Sequence, residues 1–165
     1  MIIRKIKLAD NNKIALIIKK VIIEMKAPKF GTAYADPNLN SLSKDFLMPR
    51  TRYFILEHNE NILGGAGINL LNQYQSNICE LQKMYFLKEA RGKGWGELMI
   101  NKCLKFAKAQ NYKSCYIETV SSMKMAQKLY LKKGFSYIDK PIGNTGHHNC
   151  DIWMIKHFID EYNSI

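Results

Sequence analysis

The stretch "EARGKGWGELM", residues 89–99, decides how this chain folds and what it holds. Glycine occupies every second position, at 92, 94 and 96, with Arg91 and Lys93 set among them. The run before it reads as a strand and the run after it as a helix. Bare backbone at a helix mouth is a ready anion site, because unpaired amides and the helix dipole converge there. The structural alternative is a tight strand-to-helix turn with no ligand. Two common phosphate motifs are excluded. A P-loop needs GxxxxGK[ST], and Trp95 follows Gly94. A dinucleotide fingerprint needs GxGxxG, and Glu97 and Met99 stand where its last glycine would fall.

Outward from the glycines, "ICELQKMYFL" (78–87) predicts a strand with Cys79, Leu81, Lys83 and Tyr85 on one face. Residues 96–110 predict a helix, with Met99, Cys103, Phe106 and Ala107 along its apolar side and Asn111 as the left-handed residue after its end. "SCYIETV" (114–120) predicts a buried strand. Strand, helix and strand make a βαβ crossover and so a parallel pair. The glycine loop then lies at the carboxyl end of the first strand, where open α/β sheets bind ligands.

Ile2 to Leu8 alternate as a strand, and Asp10 is a candidate N-cap for a helix reaching about residue 26. "SLSKDFLM" (41–48) predicts a short helix stopped by Pro49, and residues 52–71 a hairpin about "HNEN". Ser121 or Ser122 is expected to cap a helix running to Lys133 and ending on Gly134. "FSYID" and "CDIWMIKHF" are the last strands, joined by "KPIGNTGHHN". The order is β-α-α-β-β-β-α-β-α-β-β.

At 165 residues the chain makes a single domain, 1–165. The longest apolar run, "IALIIKKVIIEM", is broken by Lys19 and Lys20, so no membrane span is expected. The start carries no signal-peptide pattern, and a cytoplasmic protein is expected. Cys79, Cys103, Cys115 and Cys150 form no CxxC pair and read as reduced thiols. The formal charge of +11 favours anionic partners. The lysines are scattered rather than gathered in an arm, and no RRM, KH, helix-turn-helix or zinc-finger signature supports a nucleic-acid-binding module.

Two separated motifs carry a family resemblance. Arg91, Gly94 and Gly96 make Arg-x-x-Gly-x-Gly after the strand end Met84-Tyr85-Phe86. Ala126, Leu129-Tyr130 and Gly134-Phe135 make A-x-x-LY-x-x-x-GF. Over about residues 53–138 the chain resembles the GNAT superfamily of N-acetyltransferases. The resemblance implies an α/β (α+β) fold: a mixed, mostly antiparallel sheet of about seven strands, one parallel βαβ pair and about four helices. It implies acetyl-CoA as acyl donor and direct transfer of acetyl to an amine, with a non-catalytic acyl-CoA sensor as the narrower alternative. Family members are often dimers, so a homodimer is a further expectation.

The same resemblance implies the site. The amides of Gly92, Lys93, Gly94, Trp95 and Gly96 would cradle the pyrophosphate, with charge from Arg91 and Lys93. A bulge near the strand end would let the main chain of Met84, Tyr85 and Phe86 hold the pantetheine arm and polarise the thioester carbonyl. Met123 replaces an Asn that often contacts the cofactor in the family. Tyr130 is the candidate acid for the departing thiolate, and Glu80 the candidate general base, with Glu118 the other carboxylate. The amine attacks directly, so no cysteine nucleophile is required. In "GHHNC", His147, His148 and Cys150 lack a nearby fourth ligand; no metal is expected, and the loop is expected to face substrate. Tyr34, Phe30 and Asp36 are placed near an amine pocket by position.

Overall fold

A computed structural model describes residues 1–71 and 77–158. Among these residues the elements are β1 (Ile2–Lys5), α1 (Asn11–Glu24), α2 (Leu42–Asp45), β2 (Arg52–His58), β3 (Asn61–Leu70), β4 (Ile78–Phe86), α3 (Trp95–Ala109), β5 (Ser114–Thr119), α4 (Lys124–Lys132), β6 (Ser136–Ile138) and β7 (Ile152–His157). The seven strands form one sheet in the order β1-β2-β3-β4-β5-β7-β6. Only β4 and β5 run parallel, so the expected mixed sheet with one βαβ pair is what the chain builds.

Each sheet face carries its own core. Ile14, Ile18 and Ile22 of α1 pack with Leu42, Phe46, Tyr53 and Ile55 on one face. Met99, Ile100 and Cys103 of α3 pack with Phe54, Leu56, Cys79 and Leu81 on the other, joined by Tyr130 and Phe135. The helical spacing of apolar residues in α1 and α3 is what turns one stripe of each onto the sheet.

The parallel pair is short. β4 meets β5 at Ile78–Ser114, Cys79–Cys115 and Glu80–Tyr116, and no further. Beyond Glu80 the strands part, while β5 continues in full register with β7. The cause is a bulge. Gly65 faces Tyr85 and Gly67 faces Gln82, so Ala66 alone stands opposite Lys83 and Met84. Lys83 sits at φ 51° to absorb the extra residue.

Tyr53 holds the bulge from below. Its ring lies against β3, where a Cβ on Gly67 would come within 2.6 Å of both Tyr53 and Phe46, and one on Gly65 within 2.5 Å of Tyr53. Its hydroxyl donates to the Lys83 carbonyl at 2.8 Å. The two glycines make room for a tyrosine whose only polar atom reaches the irregular peptide.

Several local expectations give way. Cys79, Leu81, Lys83 and Tyr85 do not share a face: Cys79 and Leu81 enter the α3-side core, whereas Tyr85 packs on the α1 side. The bulge inserts one residue and reverses the alternation, because strand side chains repeat every two. β1 ends at Lys5, and Leu8, 71% exposed, opens a 3-10 turn through Asp10. Asp10 takes the N-cap position of α1, but its side chain makes no capping bond there. Its carboxylate turns back to the Lys7 amide at 2.7 Å and to Arg4 at 2.7 and 2.9 Å. Neither Ser121 nor Ser122 caps α4. Met123 holds that position, and the Ser121 amide donates to Asp151 instead. The helix expected over 41–48 shortens to α2, preceded by a 3-10 turn. Asn111 at φ 61° and Gly134 at φ 80° take the left-handed positions expected of them.

Candidate active site

The parting of β4 and β5 opens a cleft of about 710 Å³ between α3 and α4. The carboxyl end of β4 supplies Met84, Tyr85 and Phe86, the glycine loop supplies Gly92, Gly94 and Gly96, and α4 supplies Met123, Lys124, Lys128 and Tyr130. A second, smaller cavity of about 40 Å³ lies beyond the bulge, lined by Glu80, Gln82, Lys83, Glu118, His147 and Cys150. Tyr85 and Met123 line both spaces.

Gly92 and Gly94 take φ +72° and +82°, and a Cβ on either would meet no atom within 4 Å. The positive φ is the protein's own reason for glycine there, and the space before them is free for a ligand. Among the described residues, no protein acceptor meets the amides of Gly92, Lys93, Gly94, Trp95 or Gly96. Gly94 also starts α3 without a side-chain cap. The helix mouth is thus left to be satisfied from outside. Gly94→Ala should fold but weaken acetyl-CoA binding about tenfold, since a left-handed alanine costs about 1–2 kcal/mol; isothermal titration checks it.

Arg91 lines the cleft and is also tied into the fold. Its Nε donates to the Phe86 carbonyl at 2.7 Å, and its two terminal nitrogens grip Glu24 of α1 at 2.7 and 2.8 Å. The guanidinium therefore ties the loop to the strand end and to α1, and its charge is matched by Glu24. The Lys93 side chain is exposed. Lys124 and Lys128, one helical turn apart on α4, bring basic charge to the opposite wall. Sequence reading passed over them, although their i, i+4 spacing beside the Ala126–Tyr130 motif was visible. At the α3 start, Glu97 bonds Lys132 and Lys133 at 2.7 Å each, which holds its carboxyl down at about 2 and joins α3 to the end of α4.

Tyr130 is 5% exposed, its ring 6.1 Å from Phe135. No described side chain or carbonyl bonds its hydroxyl, and no buried polar side-chain atom among the described residues is left unpaired. The hydroxyl therefore opens on the cleft. Burial pushes the phenol well above its ordinary range, so it stays protonated.

Glu80 is 3% exposed. Burial pushes its carboxyl up to about 7; a 2.5 Å hydrogen bond from Gln82 opposes this and the Glu118 charge adds to it. Glu118 is fully engaged, with Oε1 accepting from Tyr116 at 2.7 Å and Oε2 from Thr145 at 2.5 Å. His147 Nε2 lies 2.9 Å from Asp36, whose other oxygen meets Lys83 at 2.7 Å. Burial lowers the imidazole pKa, but the Asp36 hydrogen bond and charge outweigh it and leave it raised. Asp36 stands behind the small cavity's wall, bonded to His147 and Lys83, both of which line it. Phe30 does not join them, being 80% exposed, and Tyr34 lies under Lys19 and Lys29. His148 is exposed.

Residues 20–135 match the acetyltransferase (GNAT) family. The chain belongs to that family. It is 39% identical over 157 residues to the N-acetyltransferase YjgM of Escherichia coli (strain K12), itself described as uncharacterized, covering 94% of this chain and 93% of the relative. Among solved structures it resembles an acetyltransferase of the GNAT family from Staphylococcus aureus Mu50, with TM-score 0.81 and 20% identity over 94% of this chain and 98% of that one. It also resembles YncA of Salmonella typhimurium, a putative acetyltransferase solved with its cofactor acetyl-CoA, with TM-score 0.79 and 16% identity over 97% and 95% of the two chains. This GNAT chain is an acetyl-CoA-dependent acyltransferase. No helix among its described residues is long and apolar enough to cross a membrane.

Proposed function

We propose that this GNAT enzyme transfers acetyl from acetyl-CoA to a primary amine whose nitrogen enters the small cavity. One observation carries the reading: Tyr85 and Met123 line both the cleft and the cavity, so the two spaces meet at the bulge. Acetyl-CoA lies in the cleft with its pyrophosphate on the amides of Gly92 to Gly96. Lys124 and Lys128 add charge on the far wall.

The bulge supports an oxyanion role. The Lys83 carbonyl points to Tyr53. In a planar trans peptide the following N–H points the opposite way, so the Met84 amide faces away from Tyr53 and serves the thioester oxygen. Glu80, poised near neutrality, takes the proton from the ammonium form of the acceptor, directly or through one water. The free amine attacks the thioester carbonyl and a C–N bond forms; the C–S bond breaks, Tyr130 gives its proton to the departing thiolate, and the second proton that the nitrogen sheds restores the phenol. The small cavity holds only a few waters' worth of volume. It admits an amino terminus, and the rest of the acceptor lies outside, against residues 30–36 and 142–150.

A thiol-release assay across monoamines, diamines, amino acids and peptides tests the reading. Release stimulated by some of these amines is expected. Tyr130→Phe should lower kcat by about 10²-fold with little change in acetyl-CoA affinity. Equal rates in the two proteins would remove Tyr130 from the chemistry. Acetyl-CoA binding with no amine-dependent release across the panel would overturn the acceptor class.

A further inference from the structure

The wall of the small cavity brings together three residues that no step above uses as a set. Glu118, His147 and Cys150 each offer one ligand atom, and these atoms lie within 4.8 Å of one another. His147 Nδ1 is 3.9 Å from Glu118 Oε2. The Glu118 side chain is 4% exposed and that of His147 14%; Cys150 is half-buried. We propose that Glu118, His147 and Cys150 form a binding site for a divalent transition-metal ion, zinc by the chemistry of its donors.

The donor set is one carboxylate oxygen, one imidazole nitrogen and one cysteine sulfur, whose thiol is kept protonated by burial and the nearby carboxylates until a metal ion displaces the proton. Each is an ordinary zinc ligand, at about 2.0–2.3 Å from the ion. Such bonds at tetrahedral angles set ligands roughly 3.3–3.8 Å apart. The 3.9 Å pair nearly meets this already, and the widest pair must close by about 1 Å. Three protein ligands leave a fourth position for water or another ligand.

The surroundings are those of a metal site rather than of a chance cluster. Metal-ligating histidines commonly donate their second ring N–H to a carboxylate, which fixes the tautomer and frees the other nitrogen. Asp36 plays that part on Nε2, itself anchored by Lys83. Ligating carboxylates are in turn hydrogen-bonded, and Tyr116 and Thr145 bond Glu118. The loop that carries the other two ligands is pinned. The Cys150 amide donates to the His147 carbonyl at 3.0 Å, closing a turn, and the Asn149 amide donates to Gly31 at 3.1 Å. The Ile142 amide donates to Tyr116 at 3.2 Å. Sequence spacing did not expose the set, because it counted only His147, His148 and Cys150, and the third ligand comes from β5.

The full chain, stripped with a chelator and titrated with Co²⁺, tests the site without reference to activity. One equivalent should bind with a near-ultraviolet sulfur-to-cobalt charge-transfer band and tetrahedral visible bands, and Zn²⁺ should bleach both. Cys150→Ser should abolish the charge-transfer band, whereas Cys103→Ser, buried in the opposite core, should keep it. Asp36→Asn should weaken Co²⁺ binding by about 10–100-fold while leaving the band in place at saturation. Circular dichroism confirms that each variant is folded. No band in the parent, or a band that survives Cys150→Ser, would overturn the proposal.

Discussion

Glu80→Gln is expected to lower kcat/KM by about 10³-fold and to erase the acidic limb of its pH profile. The substitution keeps the shape of the side chain and removes its capacity to take a proton, and general-base catalysis contributes about 10²–10⁴-fold. In the parent enzyme the base works only when ionised. Burial has raised its pKa to about 7, so kcat/KM should climb as pH rises through 7 and level off above it. Stability should move the opposite way. The folded protein binds this proton more tightly than the unfolded chain, where a glutamate titrates at its ordinary value of 4.5. The native state therefore holds more protons between those values, and stability falls as pH rises across the interval. In the variant the acidic limb of the rate should vanish, and the stability slope should lose the share of Glu80 and keep that of His147, whose raised pKa acts in the same direction. Rate profiles and urea midpoints from pH 5 to 9 (on the order of two units either side of the transition), with chelator present, read the two slopes separately. An unchanged acidic limb would assign the base elsewhere, with Glu118 the remaining carboxylate in the cavity.

Gly67→Ala is expected to cost about 3 kcal/mol of stability, at the upper end of overpacking penalties. The new methyl would stand 2.6 Å from ring atoms of both Phe46 and Tyr53. Neither ring has room to yield, since Tyr53 is wholly buried and Phe46 is 2% exposed, and the two already touch at a centroid distance of 5.2 Å. Relief requires Tyr53 to move, and its hydroxyl then leaves the Lys83 carbonyl. Activity should fall by more than the folded fraction alone explains, because the bulge loses its support. Urea denaturation gives the first quantity, and kcat at a temperature where the variant is fully folded gives the second. A variant with parental midpoint would show that the rings can repack.

How much of this was legible follows from how local each signal is. The glycine loop, Asn111 and Gly134 are backbone conformations written in one or two residues, and they were read from sequence alone. The strand and helix order followed from periodicity, because each element buries a single face. The face of Tyr85 was misread for a physical reason: the bulge depends on Tyr53, Gly65 and Gly67, which lie on other strands, and period-two alternation cannot register an inserted residue. Arg91 was expected to bring charge to phosphate; it lines the cleft, and its pairing with Glu24, far back in α1, is written nowhere near the loop. Asp36, His147 and Lys83 form one network from three distant segments, and only the folded sheet brings them together. Glu80 was named through the resemblance; its acidity is set by burial, by Gln82 two residues along its own strand, and by charges on β5 and the 139–151 loop that only the fold brings near.

The three rungs between β4 and β5 have a consequence of their own. From Leu81 onward β4 has no strand on that side, so the middle of the sheet presents an internal edge. An exposed edge invites pairing with any passing strand. Here the cleft between α3 and α4 begins at that edge, at Met84 to Phe86. A hazard that other sheets cover with lysine or proline becomes, in this one, the floor of a ligand-sized cleft.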